Sequence, residues 1–116
     1  MSLIGDGGFI YGCPVAALWS ASAYHAPFLT VVCNNQSYLS IRELLRSGYS
    51  EESVSGELGF EIGTDIRNPP DFASLARACH AYGEKIEDPS GLLAALKNAL
   101  GQVHNGTPAV LDVKIR

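Results

Sequence analysis

Two short runs hold the residues whose types could do chemistry: Gly5-Asp6-Gly7-Gly8 and Asn34-Asn35. Aspartate offers a hard anionic oxygen and asparagine a neutral one, and these are the donors that magnesium or calcium takes. Gly7 and Gly8 present backbone amides with no side chain in the way, and a helix N-terminus behind such a turn favours an anion. Magnesium commonly takes one or two protein side chains and completes its shell with water and substrate phosphates. The two runs together therefore read as a site for magnesium and a diphosphate. Gly-x-Gly-x-x-Gly does not occur and neither does a Walker lysine motif, which excludes the dinucleotide fingerprint and the P-loop. Taken singly, each run would be an ordinary turn. Only their joint placement carries weight.

That placement depends on the flanking elements. Ser2-Leu3-Ile4 reads as the end of a strand that the glycines break. A helix is predicted from Pro14 to about Tyr24, with Val15, Leu18, Trp19 and Ala23 at helical offsets and Pro14 in the first turn. Trp19 is read as core. Pro27 stops this helix, because the residue before a proline disfavours helical angles. Phe28-Leu29-Thr30-Val31-Val32-Cys33 is a continuous apolar run, the pattern of a strand buried on both faces of a parallel sheet. In a strand–helix–strand unit both strand ends point the same way. Neighbouring strands lie about 4.8 Å apart. Asp6 and Asn35 would then meet at the carboxyl edge, where α/β folds bind ligands.

Beyond Asn35 a short helix is predicted near Tyr38 to Arg46, with Ile41, Leu44 and Leu45 on its apolar face. Residues 47–70 are rich in glycine and carry Glu51, Glu52, Glu57, Glu61 and Asp65, offset only by Arg67. They are expected to form a long loop region, a solvated lid rather than a metal site. Arg42 is read as a surface residue. Asp71 can cap a helix bearing Phe72, Leu75, Ala76 and Cys79, with Gly83 as its terminator. Glu84-Lys85-Ile86-Glu87 follows as a strand. Asp88-Pro89 then opens a helix bearing Leu92, Leu93, Leu96, Leu100 and Val103, and Ala109 to Val113 forms a last buried strand. Strands alternating with helices imply an α/β fold, a mostly parallel sheet with flanking helices.

The 116 residues are 47% apolar and 17% charged, a core-forming composition. A net charge of −4 lacks the basic footprint of a nucleic-acid binder. No apolar stretch reaches the roughly 20 residues of a membrane helix, and no signal peptide is visible, so a cytoplasmic protein with no membrane partner is expected. Cys13, Cys33 and Cys79 form no metal or redox spacing and read as reduced core thiols. His25 is placed at a helix end, His80 on a helix flank and His104 near a turn, none of them catalytic.

Gly5-Asp6-Gly7 followed, after residues 8–33, by Asn34-Asn35 resembles the thiamine diphosphate motif of the acetolactate synthase, pyruvate decarboxylase and benzaldehyde lyase superfamily. Pro70-Asp71-Phe72-Ala73-Ser74-Leu75-Ala76, Glu87-Asp88-Pro89 and Gly106-Thr107-Pro108-Ala109-Val110-Leu111-Asp112-Val113 are similar to later segments of the same family, so the resemblance spans essentially the whole chain. It implies that Asp6, the Asn35 side chain and the Ser37 carbonyl ligate Mg2+. It further implies that Gly5, Gly7, Gly8, Asn34 and Tyr38 line the thiamine diphosphate. Relatives often carry Ser where Gly8 stands and Glu where Ala17 stands, so neither a hydroxyl contact nor an ionic role is carried over.

The resemblance also implies a single, incomplete diphosphate-binding domain over 1–116, with the motif at 5–35, the loop region at 47–70 and a C-terminal α/β part at 71–116. The implied function is a fragment of a 2-oxo acid decarboxylase or carboligase, a lyase or transferase, with no catalytic residue of its own. A non-catalytic truncated module, or an unrelated phosphate-binding or regulatory α/β domain, is the alternative. The family's catalytic glutamate sits on a pyrimidine-binding domain, so the expected partner is that domain or a second subunit. An unpaired sheet edge would favour a homo-oligomer.

Overall fold

β2 (Leu29–Asn34) and β4 (Ala109–Lys114) are the two apolar runs without alternation, and both lie inside the sheet, buried through most of their length. In this computed structural model, residues 1–48, 54–58 and 62–115 are described. Among the described residues the sheet has four strands in the order β1-β2-β4-β3, with β1 spanning Ser2–Gly5 and β3 spanning Tyr82–Ile86. Every pair is parallel. The expectation of a parallel α/β fold is met.

Side-chain alternation along the inner strands divides the core in two. Val32 and Val110 face one cluster with Phe9, Leu18, Phe72 and Ala76. These come from α1 (Asp6–Tyr11), α2 (Pro14–Ala23) and α5 (Phe72–Ala78). Val31 and Leu111 face the other cluster with Ala95 and Ala99 of α6 (Leu92–His104). Asp71 caps α5 by accepting the Ser74 amide at 2.7 Å, and Asp88 accepts the Ser90 amide at 2.9 Å ahead of a 3-10 turn, Pro89–Gly91, that leads into α6. Both caps fall where the sequence put them.

The chain divides into two compact units, Met1–Asn35 with Pro70–Arg116, and Gln36–Pro69. The second unit holds α3 (Leu39–Gly48) and the short α4 (Val54–Leu58). Its two ends are laced together. Ser37 and Asp65 form an antiparallel bridge, the Tyr38 amide donates to the Thr64 carbonyl at 2.8 Å, and the Ile66 amide donates to the Gln36 carbonyl at 2.9 Å. Arg42 is half-buried rather than a surface residue: its guanidinium donates to Asp65 and, at 3.1 Å, to Thr64 Oγ1. Glu51, Glu52 and Glu61, read as part of an acidic lid, lie outside the described residues.

Other local readings are corrected. Gly7 and Gly8 do not form a bare turn but sit in the first turn of α1. Glycine costs about 1 kcal/mol in a helix interior. Here the buried Phe9 ring, edge-on to Phe72 at 5.1 Å, anchors the turn from inside. Gly83 does not end a helix: α5 stops at Ala78, and His80 turns the chain at φ 61°. Histidine is among the residues enriched in that left-handed region. His25, just past α2, does the same at φ 52°. Trp19 is 56% exposed, because Leu18 and Ala21 supply the buried face of α2. In α6 the small Ala95 and Ala99 are buried while Leu93 and Leu100 are exposed, since close packing on the sheet selects small side chains. All three cysteines are free, but Cys13 is exposed and Cys33 half-buried, leaving Cys79 as the core thiol.

Candidate cofactor and metal site

Residue positions at the carboxyl edge follow from strand register. Gly5 pairs with Cys33, so Asp6 leaves β1 as Asn34 closes β2. Asn35 follows directly and is half-buried. The first unit thus brings Asp6, Gly7, Asn34 and Asn35 to one end of two adjacent parallel strands. Gly8 is exposed one residue further into α1.

Asp6 is 2% exposed and lies in the first turn of α1, where the helix dipole favours a carboxylate. Its Oδ1 accepts the Gly7 amide at 3.0 Å. Its Oδ2 is buried with no hydrogen-bond partner among the described residues. A buried, unsatisfied carboxylate oxygen costs about 1–3 kcal/mol or more. It is the donor that a hard cation would satisfy, so the residues present fit a magnesium site. Among the described residues no group of three or more His, Cys, Asp or Glu is placed to hold a metal. A cation at this edge would therefore draw on one carboxylate, amide oxygens, phosphate and water, a donor set that suits magnesium.

Ser37 and Tyr38 belong to the second unit. There the Ser37 hydroxyl donates to the Thr64 carbonyl at 3.3 Å, and Tyr38 precedes α3.

Sequence reasoning missed one member of the first unit's edge. Asp112 stands on β4, 2% exposed, and its Oδ1 accepts from Asn34 Nδ2 at 2.9 Å. Burial pushes its carboxyl above the ordinary aspartate range, opposed by the Asn34 hydrogen bond and by Lys85, and reinforced by the nearby Asp71 and Asp6 charges. The available signal was a carboxylate inside the apolar run Ala109 to Val113, since aspartate is almost never fully buried without a partner.

Residues 1–113 match the family described as thiamine pyrophosphate enzyme, C-terminal TPP binding domain. The chain belongs to that family. Among curated proteins it is 30% identical to YdaP of Bacillus subtilis (strain 168), which carries the name of a thiamine pyrophosphate-containing protein, over 99% of this chain and 17% of that one. It is 29% identical to the acetolactate synthase large subunit of Parasynechococcus marenigrum (strain WH8102), over 88% of this chain and 15% of that one. Among solved structures it is similar to the Rhodococcus jostii RHA1 thiamine diphosphate-dependent 4-hydroxybenzoylformate decarboxylase. The TM-score there is 0.78 at 28% identity, covering 98% of this chain and 19% of that one. The chain therefore spans under a fifth of the length of the relatives it matches. Within the TPP-binding domain family, its four parallel strands and flanking helices are the expected architecture.

Proposed function

We propose that this chain is the magnesium- and diphosphate-holding part of a thiamine diphosphate-dependent 2-oxo acid decarboxylase or carboligase. The observation that carries the reading is the buried Oδ2 of Asp6, without a hydrogen-bond partner among the described residues, at the sheet edge that also bears Asn34 and Asn35. In this reading Asp6 and Asn35 give side-chain oxygens to Mg2+. Gly5, Gly7, Gly8 and Asn34 line the diphosphate end. Gly7 and Gly8, lacking side chains, let the first turn of α1 approach phosphate closely. When bound, thiamine diphosphate supplies the nucleophilic carbon and the electron sink that cleavage or ligation beside a carbonyl requires. The chain's own part is to neutralise and orient the diphosphate, which fixes the position of the reacting end.

The complementary half, which must hold the pyrimidine ring and supply an acidic catalytic residue, is assigned to another domain or subunit. Leu3, Val15 and Trp19 on the first unit are exposed apolar side chains, which supports a partner or a second copy covering them. The 116-residue chain by itself is expected to release no carbon dioxide from a 2-oxo acid, and steady turnover by the purified chain would count against that assignment.

The test is ligand-linked stability. Thiamine diphosphate with Mg2+ should raise the unfolding temperature of the chain, because a ligand at about 100 times its Kd adds about 2.7 kcal/mol to the folded state. Asp6→Ala should abolish the rise. Equal shifts in both proteins would remove Asp6 from the site.

A further inference from the structure

We propose that Asp112 is a positioning residue for the cation–diphosphate edge, acting through Asn34. The inference rests on the magnesium reading of Asp6 given above. Asp112 lies between Leu111, fully buried, and Val113 on the central strand β4. Val32 is its register partner on β2, so Asn34 is the next residue along that strand on the same face. The buried hydrogen bond at 2.9 Å joins the two side chains diagonally across the strand pair. An ionised carboxylate can only accept, so it commits the NH2 end of the Asn34 amide and turns the amide oxygen away from itself. The last residue of β2 is thereby held in one orientation, and Asn35 departs from it.

The placement of charge points the same way. Asp6 follows β1 and Asp112 stands on β4, so the two buried carboxylates flank the carboxyl end of β2 from either side. Lys85 is the register partner of Asp112 on β3, but its ammonium is engaged by Glu87 at 2.9 Å. A carboxylate buried in a strand with an amide as its hydrogen-bond partner is a costly way to fill a core position, and an uncharged isostere often stabilises. A negative charge kept there raises the attraction for a divalent cation bound at Asp6. Removing a group that orients a metal ligand itself changes metal affinity by about 10–100-fold, and Asp112 acts one residue away, through Asn34 beside the ligand Asn35, so the lower end of that range applies.

Asp112→Asn separates this role from a packing role, because it keeps shape and a hydrogen-bond acceptor but loses the charge. In the full 116-residue chain, Mn2+ affinity in the presence of thiamine diphosphate is read by electron paramagnetic resonance, and metal-free unfolding temperature is read alongside. The expected result is about tenfold weaker Mn2+ binding with an unchanged or higher unfolding temperature. Binding within twofold of wild type, or affinity and unfolding temperature falling together, overturns the proposal. Should Asp112→Asn fail to fold, Asp112→Ser takes its place, since it also removes the charge and leaves a hydroxyl beside Asn34. A folded Asp112→Ser that binds Mn2+ about tenfold more weakly supports the proposal, and one that binds within twofold of wild type overturns it. Failure of wild type to bind Mn2+ more tightly than Asp6→Ala overturns the underlying reading itself. A fault confined to Asp112 leaves that reading standing.

Discussion

Gly83 lies so close to Ala73 that a Cβ at position 83 would stand 2.1 Å from the Ala73 carbonyl oxygen. The contact is backbone against side-chain space, so no rotamer change relieves it. It sets how near α5 sits to the edge strand β3. Gly83→Ala must push the two elements apart, and overpacking of this kind costs about 1–3 kcal/mol. Chemical denaturation should show a lower midpoint with an unchanged slope. An unchanged midpoint would mean that α5 is free to shift.

Asp71 offers a test with a pH signature. Its carboxyl is held below the ordinary aspartate range, first by the Ser74 amide it accepts, and also by the Ser74 side chain and by the Arg77 and Lys85 charges. A pKa lowered on folding contributes stability that is present above the unfolded value and is lost as pH falls through the folded one. Asp71→Ala should therefore cost about 1 kcal/mol at neutral pH. The gap between variant and wild type should close as the solution is acidified below pH 4. A gap independent of pH would show that the cap acts without its charge.

Tyr82 tests the opposite edge. Its hydroxyl donates to Glu84, and that bond together with burial raises the phenol to about 12. A pKa raised on folding contributes stability that is complete below the unfolded value, near 10, and disappears as pH climbs toward about 12. The Tyr82 ring should titrate late by carbon-13 resonance, and Glu84→Gln should bring it earlier. A Tyr82 titration that Glu84→Gln leaves unchanged would show that the bond does not form in solution.

Trp19 reports on the surface of α2. It is the sole tryptophan and is more than half exposed. Dilute protein should emit at long wavelength and be quenched efficiently by acrylamide. A proposed partner or second copy covering Leu3, Val15 and Trp19 should shift the emission to shorter wavelength as concentration rises. Emission that stays blue-shifted at every dilution would mean that Trp19 is covered within a single chain.

What could be read ahead of the structure follows from the range of the forces involved. β2 and β4 were legible because a strand buried on both faces must be apolar at every position, and both caps were legible because Asp71 and Asp88 act on amides two or three residues away. The Asp6 and Asn34-Asn35 edge was legible because strand, helix and strand are contiguous, which leaves few ways to arrange them. The Asn34–Asp112 bond was not, because its partners lie 78 residues apart and only the insertion of β4 beside β2 brings them together. α1 was hidden because Gly7 and Gly8 argue locally against a helix that Phe9 holds from the core. The exposure of Trp19 and Cys13 depended on which face of α2 meets the sheet, and periodicity with apolar residues on two sides does not decide that.

The strand order has a kinetic consequence. β4 is the last strand of the chain in sequence but the third across the sheet, wedged between β2 and β3. β1 and β2 can zip together early, whereas β3 has no hydrogen-bonding neighbour until β4 arrives. Such non-local pairing raises contact order and slows folding. During synthesis, residues up to about 108 would hold one parallel pair and one orphaned strand, with the apolar face of α6 still searching for its sheet. Closure of the four strands around β4 and delivery of Asp112 to its asparagine would then be a single late event, so a nascent chain stalled before Val110 should be a strong client for chaperones that bind exposed apolar surface.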